Sequence, residues 1–231
     1  IINDHGTEVD GSGRSNEPVD NMVKELKDIG LEVTADYADV SKMDGGEEVV
    51  QKAIDTYGQL DILVNSAGSL IDRMIYQMTP EDFDKVVRNN AKSVFTTSKF
   101  AAILFRQQRS GRIVNLTSDS GLGDVGRSNY AAASEAIVGL TRTTARDLGK
   151  YGVTANSIAP RAETRMVESI PENVRAKLAD QGLMPQAGEA PWKPGDVAPF
   201  VAFLASDHSA PVNGQVFLVY GGNVVHMTLP R

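Results

Sequence analysis

A chain of 231 residues with 41% hydrophobic and 23% charged residues is ordinary globular composition, long enough to close one sizeable core. Its 23 basic and 30 acidic residues leave a net charge of −7 with no basic block, which argues against nucleic acid and anionic membrane as partners. It has no cysteine, which excludes disulfides, thiolate metal sites and cysteine nucleophiles and fits a cytoplasmic protein. No apolar run approaches a membrane span, and no signal-peptide pattern is visible.

The chain opens on Ile1-Ile2-Asn3-Asp4, which reads as a buried strand ending in an acid. A polar, glycine-rich stretch runs from His5 to Asn16. Pro18 then fits a helix first turn, with Val19, Met22, Val23 and Leu26 as its apolar stripe and Gly30 as its stop. Leu31 to Tyr37 alternates like a strand, and a helix is expected from Glu47 to Tyr57. Leu60 to Asn65 is a short buried strand. Thr79 caps a helix with Pro80 in its first position, and that helix is expected to reach about Gln107. Gly111 to Thr117 is a strand, Ser128 to Leu148 a helix, and Gly152 to Ile158 a strand. A helix from Asp196 to Ala205 and a strand from Gly214 to Val219 close the pattern.

Strands alternating with helices imply an α/β fold: a doubly wound, mostly parallel Rossmann-type sheet in a single domain over residues 1–231. Such sheets take ligands at the carboxyl ends of their strands. The polar clusters fall at those ends: Asp4, Asp39, Asn65 to Gly68, Thr117 to Ser120, and Pro160 onward.

With Asp39-Val40, Asn65-Ser66-Ala67-Gly68, Asn90, Ser118 and Tyr130 in this order and spacing, the chain resembles the short-chain dehydrogenase/reductase family from Ile1 to about Gly222. Asn65-Ser66-Ala67-Gly68 is similar to the family's Asn-Asn-Ala-Gly, which steadies the sheet and lines the cofactor cleft. Asp39-Val40 matches the pair that contacts adenine, and Asn90 matches the helix asparagine whose backbone holds a water in the proton relay. Ser118 matches the serine that bonds the substrate carbonyl or hydroxyl, and Tyr130 matches the general acid/base. The loop from Asn3 to Gly13, and Ile158-Ala159-Pro160 with Thr164-Arg165-Met166, resemble (3R)-hydroxyacyl-CoA dehydrogenase-like members. The resemblance implies an NAD-dependent interconversion of a secondary alcohol and a ketone, an acyl-CoA-type small molecule, and a homo- or hetero-oligomer. Asp4, Asp39, Val40, Asn65, Ala67, Gly68 and Pro160 would line the cofactor. A carboxylate at Asp4 would favour NAD over NADP, a preference that Arg14 weakens.

Three departures qualify the resemblance. The family's first strand and glycine-rich turn are missing from the sequence given. That strand would lie between those at Ile1 and Leu60, and a sheet without it would leave two rows of unpaired amides, each costing roughly 1–3 kcal/mol. About 30 residues, one strand-plus-helix unit, are therefore expected upstream. The second departure is Ser134, where the family has lysine. Positions i and i+4 share a helix face, so the lysine would stand beside the tyrosine, lower its pKa and hold the nicotinamide ribose. Serine can do neither. The third is Arg161 after Pro160, in place of glycine; its side chain could crowd the cofactor, or pair with a substrate carboxylate or CoA phosphate.

Three functional readings follow. The first is a catalytically impaired subunit that partners an active paralogous one. The second is a working NAD-dependent enzyme with another cation in place of the lysine. The third is a nucleotide-binding regulator. Arg127 lies close to Tyr130 in sequence and could meet an anionic substrate, while Trp192 reads as a packing residue of a substrate lid. Phe95, Phe100 and Phe105 read as core. Three scattered histidines without ligand spacing argue against a metal site.

Overall fold

The computed structural model describes residues 1–168, 170, 172–185 and 192–228. Its main sheet has five strands in the order β3 (Ile62–Asn65), β4 (Gly111–Leu116), β5 (Val153–Pro160), β6 (Val216–Tyr220) and β7 (Asn223–His226). The first four are parallel, and β7 returns antiparallel beside β6. A separate two-stranded parallel sheet joins β1 (Ile2–Asn3) to β2 (Ala35–Asp36). The helices are α1 (Glu17–Asp28), α2 (Met43–Tyr57), α3 (Pro80–Val87), α4 (Ser93–Gln108), α5 (Ser128–Leu148), α6 (Arg165–Glu168), α7 (Glu172–Asp180) and α8 (Ala198–Ala205).

Apolar burial on both faces holds the main sheet. On one side Phe105 of α4 and Ala145 and Leu148 of α5 close over Ile113, Val153 and Ala155. On the other, Leu204 of α8 and Val197 pack on Val114, Ile158 and Val219. Strands covered on both faces read as continuous apolar runs, which is why β4 and β5 are buried almost throughout.

The edge beside β3 is different. Ile62 and Val64, alternate residues on one face of β3, are 45% and 44% exposed. Among the described residues no strand lies between β1 and β3, and a cavity of about 1180 Å³ separates them, lined by Ile1 and Asn3 on one side and Leu60 to Gly68 on the other. The small sheet is held instead by a buried carboxylate. Asp36 accepts from the Asn3 amide at 2.6 Å, the Ala38 amide at 3.1 Å and Lys52 of α2 at 3.2 Å.

The long helix expected from Thr79 to Gln107 is broken. A capping box between Thr79 and Asp82 starts α3 as expected, but Arg88–Lys92 form a π-helical turn before α4 begins. Its cause is Asn90, whose side-chain amide donates to Val86 O at 2.8 Å and to Ser69 O at 2.9 Å. The inserted side chain occupies a carbonyl of the helical ladder and widens the turn. The strand expected from Leu31 to Tyr37 shrinks to Ala35–Asp36, because β1 offers only two residues to pair with. The core assignment for the three phenylalanines holds for Phe105, which is fully buried, but not for Phe95, which is 44% exposed. The helix expected from Glu47 starts earlier, at Met43, and β7, α6 and α7 lie outside the expected pattern.

Candidate active site

The carboxyl ends of β3, β4 and β5 meet α5 and the lid segment after Pro160 around a cavity of about 490 Å³. Asn90, Ser118, Tyr130, Ser134 and Pro160 all line it, so residues far apart in sequence converge at one place. Ala67 and Gly68 line both this cavity and the larger one between the two sheets.

Each side chain is positioned by its backbone. Ser118 ends the segment after β4 in extended conformation and caps the following turn, accepting from the Ser120 amide at 3.1 Å. Tyr130 stands in the first turn of α5, where its amide donates to the Asn129 side chain at 2.7 Å. Buried Asn129 in turn donates to Ile71 O at 3.0 Å and Asp82 O at 3.3 Å, fixing the start of α5 against the neighbouring segment. The Tyr130 phenol shares the cavity with Ser118, which acts to favour its ionised form.

The phenol is a weaker acid than an exposed tyrosine. Burial raises its pKa; Ser118 and the Arg127 charge pull it down, and Asp119 and Asp124 push it up, with a net rise. The cations that could reverse this are spent. Arg127 donates to Asp72 through Nε at 3.0 Å and Nη2 at 3.2 Å, and through Nη1 to Asp124 at 3.0 Å. Arg161 donates to Asp119 Oδ2 through Nε at 2.8 Å and Nη2 at 2.5 Å, with its guanidinium 5.5 Å from the Tyr220 ring centre. These two arginines are the cationic side chains lining the cavity among the described residues; Arg161 pairs with Asp119 and Arg127 with Asp124, both of the same lining, and Arg127 also with Asp72 outside it. In this structure Arg127 and Arg161, both read from the sequence as able to meet an anion, are engaged in internal ion pairs.

Ser134 does not stand in for an ammonium. It is 2% exposed, its hydroxyl donates to the Tyr130 carbonyl at 2.8 Å, and its own carbonyl accepts from Thr117 Oγ1 at 2.7 Å. Back-bonding to the i−4 carbonyl is the usual resort of a short hydroxyl inside a helix.

Asn65 has a structural task. Its amide donates to Asn115 Oδ1 at 2.8 Å and Ser98 Oγ at 3.3 Å, and its carbonyl oxygen accepts from Thr97 Oγ1 at 2.7 Å. These bonds tie α4 to the central strands. Gly68 is required beside Asn90: a Cβ there would lie 2.3 Å from Asn90 Oδ1.

The nucleotide cleft can be tested against these residues. Asp4 is exposed at the carboxyl end of β1, and its Oδ1 accepts the Gly6 amide at 2.7 Å, leaving Oδ2 for ribose hydroxyls. Asp39 is differently engaged. Oδ1 accepts from the Ser41 amide and hydroxyl at 3.1 and 2.6 Å, and Oδ2 pairs with Lys42 at 3.2 Å. Its side chain thus shapes the turn before α2 and leaves backbone at Asp39 and Val40 to line the adenine end. The glycines of the His5–Asn16 loop are occupied within the fold: a Cβ on Gly6 would strike Ser15 O at 1.7 Å, and one on Gly11 would meet Asn89 at 2.4 Å. The described residues therefore suit the adenosine half of a dinucleotide and supply no glycine turn for its pyrophosphate.

The comparisons agree with this geometry. A family model described as enoyl-(acyl carrier protein) reductase matches residues 2–223. This chain belongs to the short-chain dehydrogenase/reductase family. It is 37% identical over 213 residues to a 3-oxoacyl-[acyl-carrier-protein] reductase of Thermotoga maritima, covering 91% of this chain and 85% of that one. It is 37% identical over 243 aligned positions to the hydroxyacyl-CoA dehydrogenase ChsB1 of Mycobacterium tuberculosis, covering 100% of this chain and 72% of that one. A solved short-chain dehydrogenase from Mycobacterium avium superposes with a TM-score of 0.80 at 35% identity, over 100% of this chain and 76% of that one.

The sequence left Asp72, Asp119 and Asp124 unmarked. One signal was available. An acid directly after the motif serine (Asp119) and a base directly after the motif proline (Arg161) are opposite charges at the ends of the adjacent strands β4 and β5. No helix among the described residues is long and apolar enough to cross a membrane. No group of three or more potential metal ligands occurs among them either.

Proposed function

We propose that this chain is an oxidoreductase-type subunit that keeps a binding site for an acyl thioester bearing a hydroxyl or keto group, while contributing little hydride transfer by itself. Relatives named as acting on 3-oxoacyl carrier-protein and hydroxyacyl-CoA substrates support the substrate class. The single observation behind the impairment is the surroundings of Tyr130: a desolvated phenol whose neighbouring guanidinium is already paired and whose i+4 residue is a back-bonded serine.

NAD, when bound, supplies the hydride acceptor or donor for such a reaction. The chain's own residues have simpler tasks. Ser118 orients the reacting oxygen toward Tyr130, whose hydroxyl gives or takes the proton. At neutral pH the raised pKa keeps the phenol protonated, so it is scarce as a base and reluctant as an acid. Losing one well-tuned acid/base contribution lowers a rate by roughly 10²–10⁴-fold. Such a chain is best suited to pairing with an active related subunit, contributing scaffold and binding surface.

The test is to titrate the full chain with NADH by fluorescence and to assay 3-oxoacyl thioester reduction in the same samples. Weak or absent turnover alone, with activity appearing only when a related subunit co-purifies, is the expected result. Fast turnover by the chain alone would overturn the reading.

A further inference from the structure

Four large apolar side chains stand mostly in solvent on two loops, one of which lines the active-site cavity through Leu122. Ile75, Tyr76, Leu122 and Val125 are 75%, 77%, 77% and 83% exposed. They lie on two adjoining loops. Arg73 N donates to Gly126 O at 2.8 Å, Arg73 and Arg127 form a parallel bridge, and the Met74 sulfur lies 3.9 Å from the position of a Cβ on Gly126. Leu122 also lines the cavity itself, so the exposed cluster continues its apolar wall. Inside, Leu70, Leu116, Ile137, Val167 and Leu178 form much of that wall. Solvent-exposed apolar residues scattered singly need no explanation, but four of them on two loops joined by the Arg73–Gly126 hydrogen bond, one lining a binding cavity, call for one.

Charge narrows the occupant. Arg127 and Arg161 are paired with Asp72, Asp124 and Asp119, so among the described residues the inner cavity offers no unpaired cation to a carboxylate beside the reacting carbon. A short or carboxylate-headed substrate would leave most of the 490 Å³ unfilled and the rim bare.

Resting on the acyl-thioester reading above, we infer that the site selects a long, uncharged aliphatic acyl chain whose distal methylenes leave the cavity and lie across Leu122 and Val125, with Ile75 and Tyr76 flanking them. The reacting oxygen sits between Ser118 and Tyr130, the chain body fills the apolar wall, and the rim covers what emerges. Burying a methylene strengthens binding by about fourfold at the usual transfer free energy.

The experiment measures binding, so it needs no turnover. The full chain is titrated calorimetrically with 3-oxoacyl pantetheine thioesters of four to fourteen carbons and, separately, with n-alkanols of the same lengths. Both series are repeated on the doubly substituted Leu122→Ser, Val125→Ser chain. The expected result is an affinity that climbs several-fold per methylene in the wild type. The rim variant should lose about tenfold or more on the longest ligands and be unchanged on the shortest. Because both substituted side chains are in solvent, the variant should melt within a degree or two of wild type, and circular dichroism checks that. If the alkanols show the length dependence while the thioesters do not bind, the thioester reading fails and the apolar-chain assignment survives. Length-independent affinity, or equal loss on short and long ligands, overturns the assignment. So does a wild-type self-association, seen by sedimentation, that the rim variant abolishes without altering ligand binding, since that gives the patch to a second copy.

Discussion

The hydroxyl of Ser134 donates to the backbone carbonyl of Tyr130 at 2.8 Å. The two residues stand one helical turn apart on α5, on the face that lines the cavity. The bond is local and closed. It turns the hydroxyl of the i+4 residue back onto the helix, so the phenol is tuned by burial, Ser118, Arg127, Asp119 and Asp124 instead.

The surroundings of Tyr130 predict a definite pH response. Its pKa is raised, chiefly by burial, so the folded chain holds the phenolic proton to higher pH than the unfolded chain does. The stability this contributes is complete below about pH 10, where an unfolded tyrosine ionises, and is lost as pH rises toward the folded value. Tyr37 shifts in the same direction because its hydroxyl bonds to the Asp20 carboxylate, so the comparison must be internal. Urea unfolding at pH 9 and pH 11 should show a smaller alkaline loss for Tyr130→Phe than for wild type. An identical loss would remove the phenol from the explanation.

The ion pairs around Arg127 predict opposite effects from its two sides. Asp124→Asn removes a charge that raises the Tyr130 pKa and leaves Arg127 less neutralised, so the phenol should titrate at lower pH. Arg127→Met removes the cation and should move the titration up. Ultraviolet difference titration of tyrosinate, referenced to Tyr130→Phe, reads both. Shifts of the same sign in the two variants would contradict the assignment.

Asn65 predicts a stability effect separate from chemistry. Asn65→Leu strands Asn115 Oδ1 in the core and takes one partner from the Thr97 hydroxyl, which keeps Ser93 O. A buried polar group left without its partner costs about 1–3 kcal/mol, so a loss of about 2 kcal/mol or more is expected in urea unfolding. A change under about half a kcal/mol would mean that the network adds little stability.

Gly68 and Asn90 predict a packing effect at the junction of the two cavities. Gly68→Ala places a methyl 2.3 Å from an amide already held by Ser69 O and Val86 O. Asn90 must give up one of those bonds or the backbone must shift, a cost of about 1–3 kcal/mol. Thermal melting gives the magnitude, and loss of the backbone amide shifts that mark the π-helical turn at Arg88–Lys92 gives the location. A melt unchanged from wild type would show that the site accommodates the methyl freely.

Much of this architecture is legible in the chain. The alternation of buried strands with capped helices marks the parallel sheet; Asn90, Ser118 and Tyr130 line one cavity and Asn65 the neighbouring one. What escapes the sequence depends on partners far along it. The π-helical turn needs Asn90 to reach Ser69, and the shortened β2 is set by how much of β1 is there to pair. Arg127 meets Asp72 across 55 residues and Arg161 meets Asp119 across 42, so nothing local marks either pair. The antiparallel β7, with Val224 and Val225 both more than 40% exposed, carries no alternating burial pattern to betray it.

The proposal is that Tyr130 is too weak an acid to drive redox turnover, since both arginines lining its cavity among the described residues are ion-paired. The most direct measurement is the initial rate of NADH-dependent reduction of a 3-oxoacyl thioester by the full chain and by Ser134→Lys at neutral pH. The account predicts a gain of about 10²-fold or more for the lysine variant over a nearly inactive parent. A parent chain that turns over briskly, with no gain from the lysine, would contradict it.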